Sequence, residues 1–174
     1  MCVRTNITCA CVHTQLRYDV AMADGRRELA TSAWAALLRT HAALVPQLDR
    51  TVQRKVGLPL SWYDVLLELA AAPERRLRMT ELGERVVLSR TRVSRIVDEL
   101  VDAGLVHREE NTADKRSAYA RLTEAGLARY RQAAPHYLRA IEEQFAASLT
   151  DAQLRCVALA LNRVAPPRER AKRC

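Results

Sequence analysis

Leu88-Ser89-Arg90-Thr91-Arg92-Val93-Ser94-Arg95-Ile96-Val97-Asp98-Glu99-Leu100-Val101-Asp102-Ala103-Gly104 is the stretch from which the fold can be read. Val93, Ile96, Val97 and Leu100 stand at i, i+3, i+4 and i+7, one narrow apolar stripe on a helix that Ser89 caps and Gly104 ends at its C′ position. On a wheel centred on that stripe, Thr91 and Arg95 point outward with Arg92 and Ser94 beside them. The N-terminal half thus exposes Arg90, Thr91, Arg92, Ser94 and Arg95, and the C-terminal half Asp98, Glu99 and Asp102. This order opposes the helix dipole, which favours acids first and bases last by ~0.3 to 1 kcal/mol per charge. Stability alone does not explain it. A helix whose first turns enter the DNA major groove, and whose later turns leave the duplex, does. The structural alternative is a solvated face on which Arg90, Arg92 and Arg95 pair with Asp98 and Glu99 at i+3 and i+4.

Immediately upstream, Thr80 opens a short helical pattern running to about Val86. Immediately downstream, Leu105 to Glu109 alternates apolar and charged, Asn111 to Lys115 is a polar turn, and Ala118 to Leu122 alternates again, which predicts a two-stranded hairpin. Lys115 and Arg116 stand at its tip, where a wing meets the minor groove, and Asp114 is placed to hold Arg116 or Arg95 in a fixed pose. Further out, a helical pattern runs from Arg27 to Val56 and stops at Gly57, with Pro46 expected to kink or break it. Ser61 and Asp64 have the spacing of a capping box for the next helix, with Val65, Leu66 and Leu69. Thr123 opens a long helix carrying Leu127, Tyr130, Ala134, Tyr137 or Leu138, Ile141, Phe145 and Leu149, and Thr150 with Gln153 caps a last one.

These elements predict a mainly α fold with a small β-hairpin wing, a winged helix-turn-helix flanked by long terminal helices whose apolar spacing suits a second copy. The divisions are 1–26, an extension ending in a turn at Asp24-Gly25; 27–58, an N-terminal dimerisation helix; 59–123, the DNA-binding domain; 124–165, C-terminal dimerisation helices; and 166–174, a basic tail.

The 174 residues carry 28 Lys plus Arg against 20 Asp plus Glu, a net charge of +8. Half of that excess falls within residues 75–131 and most of the rest in the tail. The length suffices to bury a core without disulfides or a structural metal, and no cofactor is expected. No run approaches the roughly 20 apolar residues of a membrane span. Near the N-terminus, Gln15, Arg17 and Asp19 interrupt any signal-peptide core. A cytoplasmic protein with no membrane partner is expected. Four scattered histidines, no Gly-rich phosphate loop, no Gly-x-Ser-x-Gly and no His-Glu-x-x-His leave an enzyme without a constellation to work with. The remaining rival class is a helical protein-interaction module without specific DNA binding.

The recognition-helix stretch continuing through Leu105-Val106, then Asp114-Lys115-Arg116, then Leu122-Thr123-Glu124-Ala125-Gly126, closely resembles the MarR family of multiple-antibiotic-resistance-type regulators. The resemblance covers about residues 30 to 165. It implies a homodimeric repressor on a palindromic double-stranded operator. Ser89, Arg90, Thr91, Arg92, Ser94 and Arg95 would then serve the major groove, and Asp114, Lys115 and Arg116 the wing. It further implies release by a small aromatic or phenolic ligand. The ligand-site positions of urate-responsive relatives correspond to Trp34, Asp64, Arg95 and Arg108. Thiol oxidation is the alternative signal, with Cys2, Cys9 and Cys11 as candidates. By ligand type Cys2, Cys9, Cys11 and His13 suit zinc, although Cys-x-Cys-x-His is not a usual zinc spacing, and no metal site is assigned.

Overall fold

A computed structural model describes residues 8–86, 88–110 and 118–165, with side chains described from residue 24 onward except that of Arg90. Among the described residues, six α-helices and three strands follow in the order α1 (Thr8–Val56), α2 (Leu60–Ala71), β1 (Arg76–Arg78), α3 (Met79–Arg85), α4 (Arg90–Asp102), β2 (Val106–Glu110), β3 (Ala118–Leu122), α5 (Glu124–Gln144) and α6 (Asp151–Val164). The chain divides into two units between Ala43 and Leu44, within α1. The first is helical, and its described residues carry Leu29, Trp34, Leu37 and Leu38 exposed. The second contains every other element.

The core of the second unit is built on α2. Its Tyr63, Val65, Leu66 and Leu69 are buried with Leu48, Val52 and Val56 of α1, Leu77 of β1, Leu82 of α3, Val106 of β2, and Ala120 and Leu122 of β3. The predicted α4 stripe closes this core: Val93, Ile96, Val97 and Leu100 are all buried. Ser89 caps α4 by accepting the Arg92 N–H, and Gly104 follows its end with φ +70°, a left-handed conformation that strains any residue with a Cβ.

Several local expectations give way to longer-range partners. The turn expected at Asp24-Gly25 is absent: α1 runs through it, and an Asp24–Arg27 ion pair of 3.8 Å spans the position. Pro46 lies inside the same helix without ending it. Ser61 and Asp64 do not form the capping box of α2. That helix starts at Leu60, whose N–H donates to Asp49 Oδ1 of α1 at 2.7 Å, so the cap comes from another helix. Thr80 sits within α3 rather than before it; Glu81 accepts the Arg78 N–H at 3.1 Å and closes that N-terminus. The long helix stops at Gln144, and a 3-10 turn, Ala146–Ser148, precedes α6. There Thr150 and Gln153 form the expected reciprocal box.

The hairpin acquires a third strand. β3 is central, pairing antiparallel with β2 and with β1. Arg76-Leu77-Arg78 contributes one buried side chain, Leu77, and two arginines on the outer face. There Arg76 and Arg78 lie over the Tyr119 ring, Arg78 Nε donates to Tyr119 Oη, and Glu109 receives Arg121 at 3.1 Å and Arg76 at 3.7 Å. These cross-strand pairs occupy the outer face from within the sheet.

Two further ties fix the helices around this core. Arg129 of α5 donates to the Val56 carbonyl, one of the last of α1, where a cation also suits the dipole. Thr123 donates to the Gly104 and Leu105 carbonyls at 2.9 and 3.0 Å, accepts the Gly126 N–H at 2.9 Å, and sends its own N–H to Leu105 O at 3.1 Å. The end of α4 and the start of α5 thereby share one hydrogen-bonded seam.

Candidate nucleic-acid interface

The geometry of α4 follows from how it is anchored. Its buried stripe faces the α2 core, and its two polar flanks carry different loads. On one flank, Arg108 of β2 reaches Asp98 Oδ1 at 2.8 Å, Ser94 Oγ at 3.2 Å and Ser94 O at 3.4 Å. On the other, the Trp62 indole N–H of α2 donates to Glu99 Oε2 at 2.9 Å. Asp98 and Glu99 are thus each held by the scaffold. No ion pair joins Arg92 or Arg95 to Asp98 or Glu99 among the described residues, so the self-neutralised face that was the structural alternative is not formed. Thr91, Arg92 and Arg95 are exposed, and Ser94 is half-buried under Arg108.

The exposed guanidiniums of Arg92 and Arg95 lie in the first half of a capped helix standing on a rigid core. Arginine offers two parallel N–H donors, the geometry that suits guanine O6 and N7 or a phosphate. The Arg90 side chain and the wing tip with Asp114, Lys115 and Arg116 lie outside the described residues. So do Cys2 and the side chains of Cys9, Cys11 and His13. Cys156 on α6 is an exposed free thiol. No group of His, Cys, Asp or Glu suited to a metal occurs among the described residues.

The four ligand-site positions are distributed differently. Trp34 belongs to the first unit and is 60% exposed. Arg95 is on the outer face of α4, and Arg108 is engaged with Ser94 and Asp98. Asp64 makes no hydrogen bond or ion pair with Arg95 or Arg108. It lies on α2 beside an aromatic group: the Tyr63 ring lies tilted 5.5 Å from that of Tyr130 and 4.7 Å from that of Tyr137. Burial, then the Asp64 charge, raises the Tyr137 hydroxyl pKa; burial and the neighbouring tyrosines raise that of Tyr63. Asp64 itself is pushed up to about 6, chiefly by burial and secondarily by Glu68.

That shift has a definite sign. An acid whose folded pKa lies above its unfolded value of 3.8 binds its proton more readily in the folded state. Its stabilising contribution is complete below about pH 4 and is lost as the pH rises through 6. Asp64→Asn should therefore be more stable than the wild type at pH 7, by on the order of 1 kcal/mol after allowance for residual solvent contact. Thermal melts from pH 4 to 7.5 check this; a wild-type advantage that grows toward pH 7.5 contradicts it.

Sequence reasoning did not single out Trp62, Asp49 or Arg129. Their partners lie 37, 11 and 73 residues away, with no periodic signal to connect them.

Comparison with known proteins places this geometry among DNA-binding regulators. A sequence profile described as "MarR family" matches residues 56–117. The HTH-type transcriptional repressor YetL of Bacillus subtilis (strain 168) is 33% identical over 85 residues, 49% of this chain and 51% of YetL, so the match spans about half the length of that relative. Among solved structures, Sco3205 of Streptomyces coelicolor, a MarR family transcriptional regulator crystallised in complex with DNA, is 35% identical. That match covers 78% of this chain and 84% of Sco3205, with a TM-score of 0.71. The organohalide-sensing regulator RdhR-CbdbA1625 in its 2,4-dichlorophenol-bound form is 20% identical, covers 80% and 82%, and has a TM-score of 0.64, a likeness of fold.

Proposed function

Because the chain belongs to the MarR family of DNA-binding transcriptional regulators, we propose that it is a homodimeric repressor that leaves a palindromic operator when a small aromatic or phenolic molecule binds. The observation that carries the DNA-binding part is the outer face of α4, where Arg92 and Arg95 stand exposed and without an ion pair among the described residues while Asp98 and Glu99 are held by Arg108 and Trp62. Ser89, Arg90, Thr91, Arg92, Ser94 and Arg95 serve the major groove, and Asp114, Lys115 and Arg116 form the wing contact. Residues 59–123 are the DNA-binding domain. Segments 27–58 and 124–165 join the two copies, with 1–26 as an extension and 166–174 as a basic tail.

Dimerisation is supported separately in each unit by apolar side chains that face water in one copy: Leu29, Trp34, Leu37 and Leu38 on α1, and Leu159, Leu161 and Val164 on α6. A single half-site gives few contacts, so two copies spaced one helical turn apart belong to the mechanism. Aromatic ligand binding is supported by the tyrosine group around Asp64, and by the dichlorophenol complex of RdhR-CbdbA1625. We place the protein in the cytoplasm with its DNA; among the described residues no helix is long and apolar enough to cross a membrane.

The test is selection of bound fragments from whole genomic DNA, followed by titration of the tightest fragment at two salt concentrations against a scrambled competitor. A specific site bound by one dimer, with affinity falling steeply with salt, is the expected result, because each neutralised phosphate releases counterions. Absence of any enriched fragment overturns the reading in favour of a helical interaction module. Adding phenolic compounds, urate or peroxide to the same titration then identifies the signal.

A further inference from the structure

We propose that Trp62 is a positioning residue for DNA recognition: its indole N–H holds the Glu99 carboxylate off Arg95, leaving that guanidinium free for the groove. The inference rests on the DNA-binding reading of α4 given above.

Glu99 stands four residues after Arg95 on one exposed helix. That is a spacing at which opposite charges on a helix can meet. In the folded protein the pair does not form. Glu99 Oε2 lies 2.9 Å from Trp62 Nε1, and the Trp62 ring packs against the core formed around α2, so the donor is fixed in place rather than free to swing. Asp98, three residues after Arg95, is likewise taken, by Arg108 at 2.8 Å. The two acids able to neutralise Arg95 from within its own helix are therefore each bound by a different neighbouring element, α2 on one flank and β2 on the other. An indole N–H suits the task, since it donates without adding a charge. The Glu99 carboxylate is thereby drawn toward Trp62 on α2.

Removing the donor frees Glu99 to close on Arg95. Trp62→Phe keeps the aromatic packing and should weaken binding to the selected operator fragment about two- to fivefold, the range of an exposed i, i+4 ion pair plus the repulsion of a loosened carboxylate. Thermal melting identifies whether this variant folds as the wild type does. The decisive arm is Trp62→Phe combined with Glu99→Gln, which removes the charge that would capture Arg95 and should restore wild-type affinity. A lost packing or helix-anchoring contact would not be rescued by removing its other partner. In an Arg95→Ala background, Trp62→Phe should have no further effect. If Trp62→Phe does not fold, Glu99→Ala is used instead: deleting the carboxylate should leave operator affinity at or above the wild-type value, and a loss overturns the proposal. Unchanged affinity in a folded Trp62→Phe, or failure of Glu99→Gln to rescue it, also overturns it. If Arg95→Ala leaves operator affinity intact, the assignment of the groove face itself has failed, a result distinct from either of these.

Discussion

Gly126→Ala is expected to destabilise the protein by about 3 kcal/mol or more, enough to lower the melting temperature by roughly 10 °C or to prevent accumulation of folded protein. A Cβ at this position falls 2.1 Å from the Leu105 carbonyl oxygen, 3.0 Å from its carbon and 2.8 Å from Leu122 Cδ1. The oxygen is backbone and cannot swing aside. It also receives the Thr123 N–H and hydroxyl, so displacing it breaks the seam between α4 and α5. Two other glycines calibrate the effect. Gly104→Ala meets nothing within 4 Å and bears only the strain of φ +70°, about 1 to 2 kcal/mol. Gly25→Ala, in open space within α1, should be neutral or stabilising by about 0.5 to 1 kcal/mol. Urea unfolding of the three variants provides the comparison, and a Gly126→Ala protein as stable as Gly104→Ala would show that the seam yields.

Arg95→Ala should reduce affinity for the operator by ~1 to 3 kcal/mol, about 5- to 150-fold, while leaving the melting temperature within about 2 °C. The side chain is exposed and makes no hydrogen bond or ion pair with any described residue, so its removal disturbs nothing that holds the fold together. Its loss should also relax preference at one base position if it reads a base edge. Arg95→Lys discriminates further: a retained charge with a lost fork should recover non-specific binding but not specificity. Arg116→Ala should weaken binding more evenly across sequences, through the wing. Equal losses on operator and scrambled DNA for Arg95→Ala would move this residue from base reading to phosphate contact.

The parts of the fold that the sequence announces are those whose causes are local. The α4 stripe, the Ser89 cap, the Gly104 stop and the Thr150–Gln153 box each need residues within a few positions of one another, and each stands where the spacing puts it. Arg76-Leu77-Arg78 is a strand only because β3 offers an edge to it; three residues with one apolar side chain carry no period. Ser61 and Asp64 have the spacing of a cap but lose the role to Asp49, which α1 delivers from outside the window. In the site, charge order along α4 marks the face proposed for DNA. The partners that leave that face uncompensated, Trp62 and Arg108, come from other elements and are invisible to any reading of the helix alone. Arg108, a ligand-site position by resemblance, has Ser94 and Asp98 as its partners in this structure.

The exposed N-terminal face of α4 has a consequence for inheritance. The side chains of Thr91, Arg92 and Arg95 are exposed and make no hydrogen bond or ion pair with any described residue, whereas the stripe beneath them is buried and Asp98 and Glu99 behind them are engaged. With that face reading DNA as proposed, substitutions at those outward positions should change which DNA is read at little cost in stability. On that reading, a lineage carrying this scaffold could drift to new operators one residue at a time without disturbing the buried core. Duplication followed by divergence at three or four codons would suffice to produce a second regulator with its own set of sites.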